Sequence, residues 1–143
     1  MKTEKGGNKM ESFFWEDKEK KYLKINLLST TAKQKADEIF EARKMNKKLV
    51  NTHTQIRKFF DEIITYKTQC IANPSEDFFR QKLPYIKMIN AKLSYAKARN
   101  LIDNTCYKFF SDLISYINDR KDFIAFADFF EAFIAFYKEY GDK

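Results

Sequence analysis

An all-α fold, a compact bundle of five to six helices behind a flexible or irregular N-terminal arm, follows from three features of this 143-residue chain. Only Gly 3 and Pro 2 are present, so few residues break helices or shape the tight turns of a β fold. Apolar residues recur at spacings of three and four over long stretches. Hydroxyl, amide and carboxylate residues stand where those stretches begin, as helix caps do.

Taken in order, residues 1–11 are polar, hold two of the glycines and read as a disordered tail. Ser12 to Ser29 mixes Phe13, Phe14 and Trp15 with a charged run and then Leu23, Ile25 and Leu27, without a steady period. It reads as a lid strapped over the core or as an arm that docks on a neighbour. Residues 1–30 are thus expected as an arm and 31–143 as one helical domain.

From Thr31 the helical period is clear: Ala36, Ile39, Phe40 and Arg43 predict a first helix over 31–47. A capping box, Thr52-His53-Thr54-Gln55, opens the next, whose face carries Ile56, Phe59, Phe60, Ile63, Ile64, Cys70 and Ile71. Asn73-Pro74-Ser75 stops it, and Ser75-Glu76-Asp77 caps a short helix with Phe78, Phe79 and Leu83. Pro84 fits the first position of a further helix to Leu101, with Ile86, Ile89, Leu93 and Ala96 inward. After Asp103-Asn104, Cys106, Phe109, Phe110, Leu113, Ile114 and Ile117 mark another. Asp122 opens the last, whose Phe-rich face is so broad that it must be buried on two sides or meet a partner.

Hydrophobic residues make up 44% and charged residues 33%, enough for one core, and most of the fifteen Phe and eight Tyr should fill it. The net charge of +7 predicts attraction to polyanions. It is unevenly spread: residues 31–100 carry fifteen Lys/Arg against seven Asp/Glu, and 101–143 carry five against eight. A basic face built by the earlier helices follows, unless the lysines only confer solubility. Cys70 and Cys106 share no motif spacing and are expected as buried free thiols in the cytoplasm. No window approaches the apolar length of a membrane span, and no secretory leader is visible.

An active site is not apparent. His53 is the only histidine and sits where a solvent-exposed capping-region residue is expected, so imidazole pairs for nucleophilic or metal chemistry cannot be built. The carboxylates Asp61, Glu62, Glu76, Asp77, Asp128 and Glu131 sit on faces that need solvation. Neither a cofactor, a metal site nor catalysis is expected. On the helix from Pro84, Met88, Lys92, Tyr95 and Arg99 form a stripe opposite the core face. Two cations flanking a ring suit a nucleic-acid backbone, with the ring stacking on a base or packing against ribose. Arg57 and Lys58 stand in the first turns of their helix, where the dipole disfavours cations, and Lys47 and Lys48 lie just upstream. An ion pair of Arg57 with Asp61 is the plainer alternative.

Three stretches in this order resemble the small subunit of the Csm complex, the type III-A CRISPR interference machine. They are Thr54-Gln55-Ile56-Arg57-Lys58-Phe59-Phe60-Asp61; Leu83-Pro84-Tyr85-Ile86-Lys87-Met88 with Ala91-Lys92-Leu93-Ser94-Tyr95-Ala96-Lys97-Ala98-Arg99; and Phe129-Phe130-Glu131-Ala132-Phe133-Ile134-Ala135-Phe136-Tyr137-Lys138. The likeness covers roughly 31–141. It implies a helical subunit without nuclease activity, present in several copies beside the repeated backbone subunit, the large subunit and the guide and target RNA. There it would support assembly and steady the RNA in antiviral defence. The RNA-binding candidates are then Arg57, Lys58, Lys92, Tyr95, Lys97 and Arg99, with Lys48 extending the patch. Ala98 and Tyr137 stand where that family commonly has a glycine and often a histidine. The rival expectations are a helical interaction scaffold that touches no nucleic acid, a small metal-dependent nuclease, and a DNA-binding regulator, which would lack the glycine turn of a helix-turn-helix.

Overall fold

The computed structural model describes residues 12–142, so the expected disordered tail at 1–11 lies outside the described residues. A π-helical turn, Leu27–Thr31, runs straight into α1 (Ala32–Met45). Then follow α2 (His53–Ala72), α3 (Glu76–Lys87), α4 (Ile89–Ala98), α5 (Asn104–Ser115) and α6 (Arg120–Tyr137), closed by a 3-10 turn, Lys138–Tyr140. These six α-helices form the expected all-α bundle.

Local chemistry sets the boundaries. Thr52, Ser75 and Asp103 accept from the backbone N–H of Gln55, Phe78 and Cys106 at 3.1, 3.1 and 2.9 Å, each satisfying a donor that its helix leaves free. α4 ends in a Schellman motif: Asn100 takes φ 61°, and Leu101 N–H reaches the Ala96 carbonyl at 2.9 Å. That stops the helix at Ala98 instead of the expected Leu101 and leaves Arg99 at its rim.

Three expectations are corrected. Pro84 does not open a helix but lies inside α3, and the break falls four residues later at Met88. A proline keeps helical φ while removing one N–H, and burial of Phe79 and Ile86 on either side holds the turn together. Asp119, not Asp122, caps α6, accepting from Asp122 N–H at 2.9 Å. Ile71, expected on the apolar face of α2, is exposed, since one residue past Cys70 rotates the side chain by about 100°.

The broad face of α6 is buried on two sides within the chain: α1, α2 and α3 pack against it, and rings of α5 join them. Phe110 stacks on Phe130 at 4.7 Å between centroids, Phe133 on Tyr137 at 5.5 Å. Beyond α6, the chain is clasped by α1. Tyr140 stacks on Phe40 at 4.0 Å, its hydroxyl bonds Asp37, and the buried Arg43 donates to the carbonyls of Gly141 and Tyr140 at 2.8 and 3.2 Å.

Of the two roles open to Ser12 to Ser29, the structure shows a strap over the core for residues 12–26, with Leu27 onward already in the π-helical turn. Phe14 is buried, and Trp15 pairs with Leu23 in an isolated antiparallel bridge. Trp15 Nε1–H donates to Asp122 at 2.9 Å, and Lys20 Nζ reaches Asp119 and Asp122 at 2.7 and 3.0 Å. Asp122, only 3% exposed, also accepts from Asn118 N–H at 3.0 Å. One buried carboxylate therefore pins the strap to the start of α6.

Candidate nucleic-acid interface

Two contacts set α2 and α4 side by side and antiparallel. Lys92 Nζ lies 2.7 Å from Glu62 Oε2, and the Asn51 N–H just before α2 donates to the Leu101 carbonyl just after α4 at 2.9 Å. Asn51, fully buried with φ 55°, also exchanges side-chain bonds of 3.0 Å with Asp103, and its carbonyl accepts from Tyr137 Oη at 2.5 Å. The loop that carries Lys47 and Lys48 is tied down at both ends, since Asn46 Nδ2 also reaches Asp103 at 2.9 Å.

On this frame Lys58 stands one turn before Glu62 on the same stripe of α2, on the side of α4. Opposite it, Tyr95 is 63% exposed, and Arg99 Nη1 donates to its hydroxyl at 3.2 Å with the guanidinium carbon 5.6 Å from the ring centre. Ile86, Ile89, Leu93 and Ala96 are buried as expected, and Met88, Lys92, Tyr95 and Arg99 form the expected outer stripe. Lys58, Lys92, Tyr95 and Arg99 thus share one surface, with Lys48 exposed in the adjoining loop.

Two candidates are not gathered with them. Arg57 lies on the other flank of α2, its Nε 3.3 Å from Asp61 and its guanidinium 6.0 Å from the Phe60 ring. Lys97 lies on the other flank of α4, 4.7 Å over the Tyr107 ring of α5. The partner of Lys92 escaped sequence reasoning: Glu62 lies thirty residues away and carries no signal of that pairing. Lys87 was also missed; its Nζ donates to the Ile114 carbonyl at 2.7 Å, and burial lowers its pKa.

His53, expected in solvent, is only 8% exposed, because the chain end folds over the start of α2. There Asp142 accepts from Thr54 N–H and Oγ1 at 3.1 and 2.5 Å. Desolvation lowers the His53 pKa, helped by Lys138 and Arg57 and opposed by Asp142. Burial raises the Cys70 thiol and pushes Cys106 well above its ordinary value, so both stay protonated. Among the described residues no group of three or more His, Cys, Asp or Glu could hold a metal, and no helix is long and apolar enough to cross a membrane.

A family model described as Csm2 Type III-A matches residues 16–143. The chain belongs to the Csm2 Type III-A family. As a Csm2 protein it is a small subunit of a type III-A CRISPR complex and works among other subunits. The Csm2 match begins at residue 16, inside the strap, whereas the sequence likeness was confined to 31–141. No curated protein and no solved structure matches this Csm2 chain.

Proposed function

We propose that the chain steadies the guide or target RNA of the cytoplasmic type III-A complex through phosphate contacts that read no sequence. It helps to hold the repeated backbone subunit, the large subunit and further copies of itself in place, and performs no chemistry of its own. The observation that carries this reading is the shared surface of Lys58, Lys92, Tyr95 and Arg99 on antiparallel α2 and α4. Lys92 is half-exposed at 48% while its partner Glu62 is more enclosed at 22%, so a phosphate that takes Lys92 has to offset the loss of Glu62's partner. Lys48 extends the surface, whereas Arg57 and Lys97, held on the far flanks of α2 and α4, stand outside it.

Fluorescence anisotropy against single-stranded RNA, duplex RNA and duplex DNA at several salt concentrations tests this. RNA affinity should fall steeply with salt, and Arg99→Ala should weaken unrelated sequences alike while lowering the salt slope by about one. A variant that loses one sequence and keeps the others would sink the reading. A second reading, a scaffold without RNA contact, is favoured by the internal pairing of Arg57 and Lys92 and by the exposed Tyr85 and Met88. It requires complex assembly to survive Lys58→Glu with Arg99→Glu and RNA affinity to be absent throughout.

A further inference from the structure

A shallow groove of about 380 Å³ lies between the strap and the first turns of α6. It is remote from the α2–α4 surface: Arg120 on its rim bonds the Cys70 carbonyl at 3.2 Å, twelve residues and roughly 18 Å along α2 from Lys58. Trp15, Leu23 and Ile124, each partly exposed, give the groove an apolar floor. Its rim is cationic from both sides, Lys20-Lys21 from the strap and Arg120-Lys121 from α6.

Among the described residues, the charges on that rim are not all held in ion pairs, although Lys21 acts on nearby Asp17 through space. Lys20 is held by Asp119 and Asp122, and Arg120 engages the Cys70 carbonyl while its buried Nε has no acceptor. Lys21 and Lys121 are exposed and form no ion pair among the described residues. The one carboxylate that lines the groove, Asp128, is already paired with Lys67 at 2.7 Å. Arg120 and Lys121 also occupy the first turn of a helix, where the dipole repels cations. They do so in the part of the chain, 101–143, where acids outnumber bases eight to five. An anionic occupant with an apolar side chain answers both features at once.

We propose that this groove docks an acidic linear segment of a neighbouring subunit. One aliphatic or aromatic side chain sits on Trp15, Leu23 and Ile124, and flanking Asp or Glu residues reach Lys21 and Lys121. The inference rests on membership of a multi-subunit complex and is independent of the RNA reading. RNA is the poorer occupant, because only the partly exposed Trp15 offers a base a ring, and Leu23 and Ile124 beside it favour an aliphatic side chain.

The experiment uses the assembled complex with benzoylphenylalanine in place of the exposed Tyr22, beside Lys21 on the strap, photolysed and mapped by mass spectrometry. The expected product joins this position to one segment of another subunit in which Asp or Glu flanks a large apolar residue. Lys21→Glu with Lys121→Glu should weaken retention of that subunit by about tenfold, and replacing the segment's acids by lysines should restore it. Circular dichroism and RNA affinity of the isolated double variant should be unchanged, which separates lost docking from misfolding and from loss of RNA binding. Cross-links to RNA or to a segment without acids, no cross-link, or undiminished retention would each overturn the proposal.

Discussion

At the scale of single residues, burial decides what the titratable groups do. His53 is enclosed by the chain end, and desolvation holds its folded pKa below the ordinary 6.5. The unfolded chain therefore takes up this proton first as pH falls, so the contribution is full above about 6.5 and is lost progressively below it. Thermal unfolding should show Tm falling between pH 7.5 and 5.5, and His53→Gln should flatten that fall; parallel curves for the two proteins would contradict the assignment. Asp122 illustrates how little of this is legible from a linear reading. Its position in a cap-like run was visible, and it was read as the helix opener. Its partners, Trp15 and Lys20, lie over a hundred residues away, so only the folded strap reveals why this carboxylate is buried.

At the scale of elements, the helices were legible because each has a face at the right period, and α2, α3, α5 and α6 also begin with a side chain able to satisfy the first turn. Thr52, Ser75 and Asp103 act as local chemistry dictates. The error at Pro84 has an equally local cause, since a proline suits either a helix start or, at a cost, its interior. Pro84→Ala restores an N–H able to reach the Arg80 carbonyl but lets the unfolded chain explore more conformations. The net expectation is a gain of about 1–2 kcal/mol, read from the urea midpoint. The candidate interface was half legible for the same reason. Periodicity places Lys92, Tyr95 and Arg99 on one face of α4 and buries the other, but it says nothing of which helix lies alongside. Hence Lys97 and Arg57 were grouped with a surface that the packing of α5 and of Phe60 turns them away from.

Across the whole molecule, the strap and the clasp beyond α6 join distant parts of the chain onto one core. The strap's aromatic residues had no period from which to infer a role, so covering the core and docking elsewhere were equally consistent with the sequence. Phe14, 1% exposed and edge-on to Phe13 at 5.5 Å, belongs to the core cluster. Phe14→Ala should cost about 3 kcal/mol in chemical denaturation, against almost nothing for a free arm. The charge asymmetry was legible from counting alone. Where that charge gathers depends on the antiparallel alignment of α2 and α4, a property of the assembled bundle.

The position of α6 in the chain has a consequence for biosynthesis. Every helix that leans on it is translated earlier, at roughly 5–20 residues per second. While the ribosome works through α1 to α5, these helices can meet one another, but the parts of their apolar faces that pack on α6 have no partner, and Phe110 lacks the Phe130 ring it stacks on. Helical turns can flicker in that nascent segment, but a cooperative fold waits for Phe126, Phe130 and Phe133 to emerge. Native contacts with neighbouring subunits that need a finished surface therefore form after this stretch has left the exit tunnel.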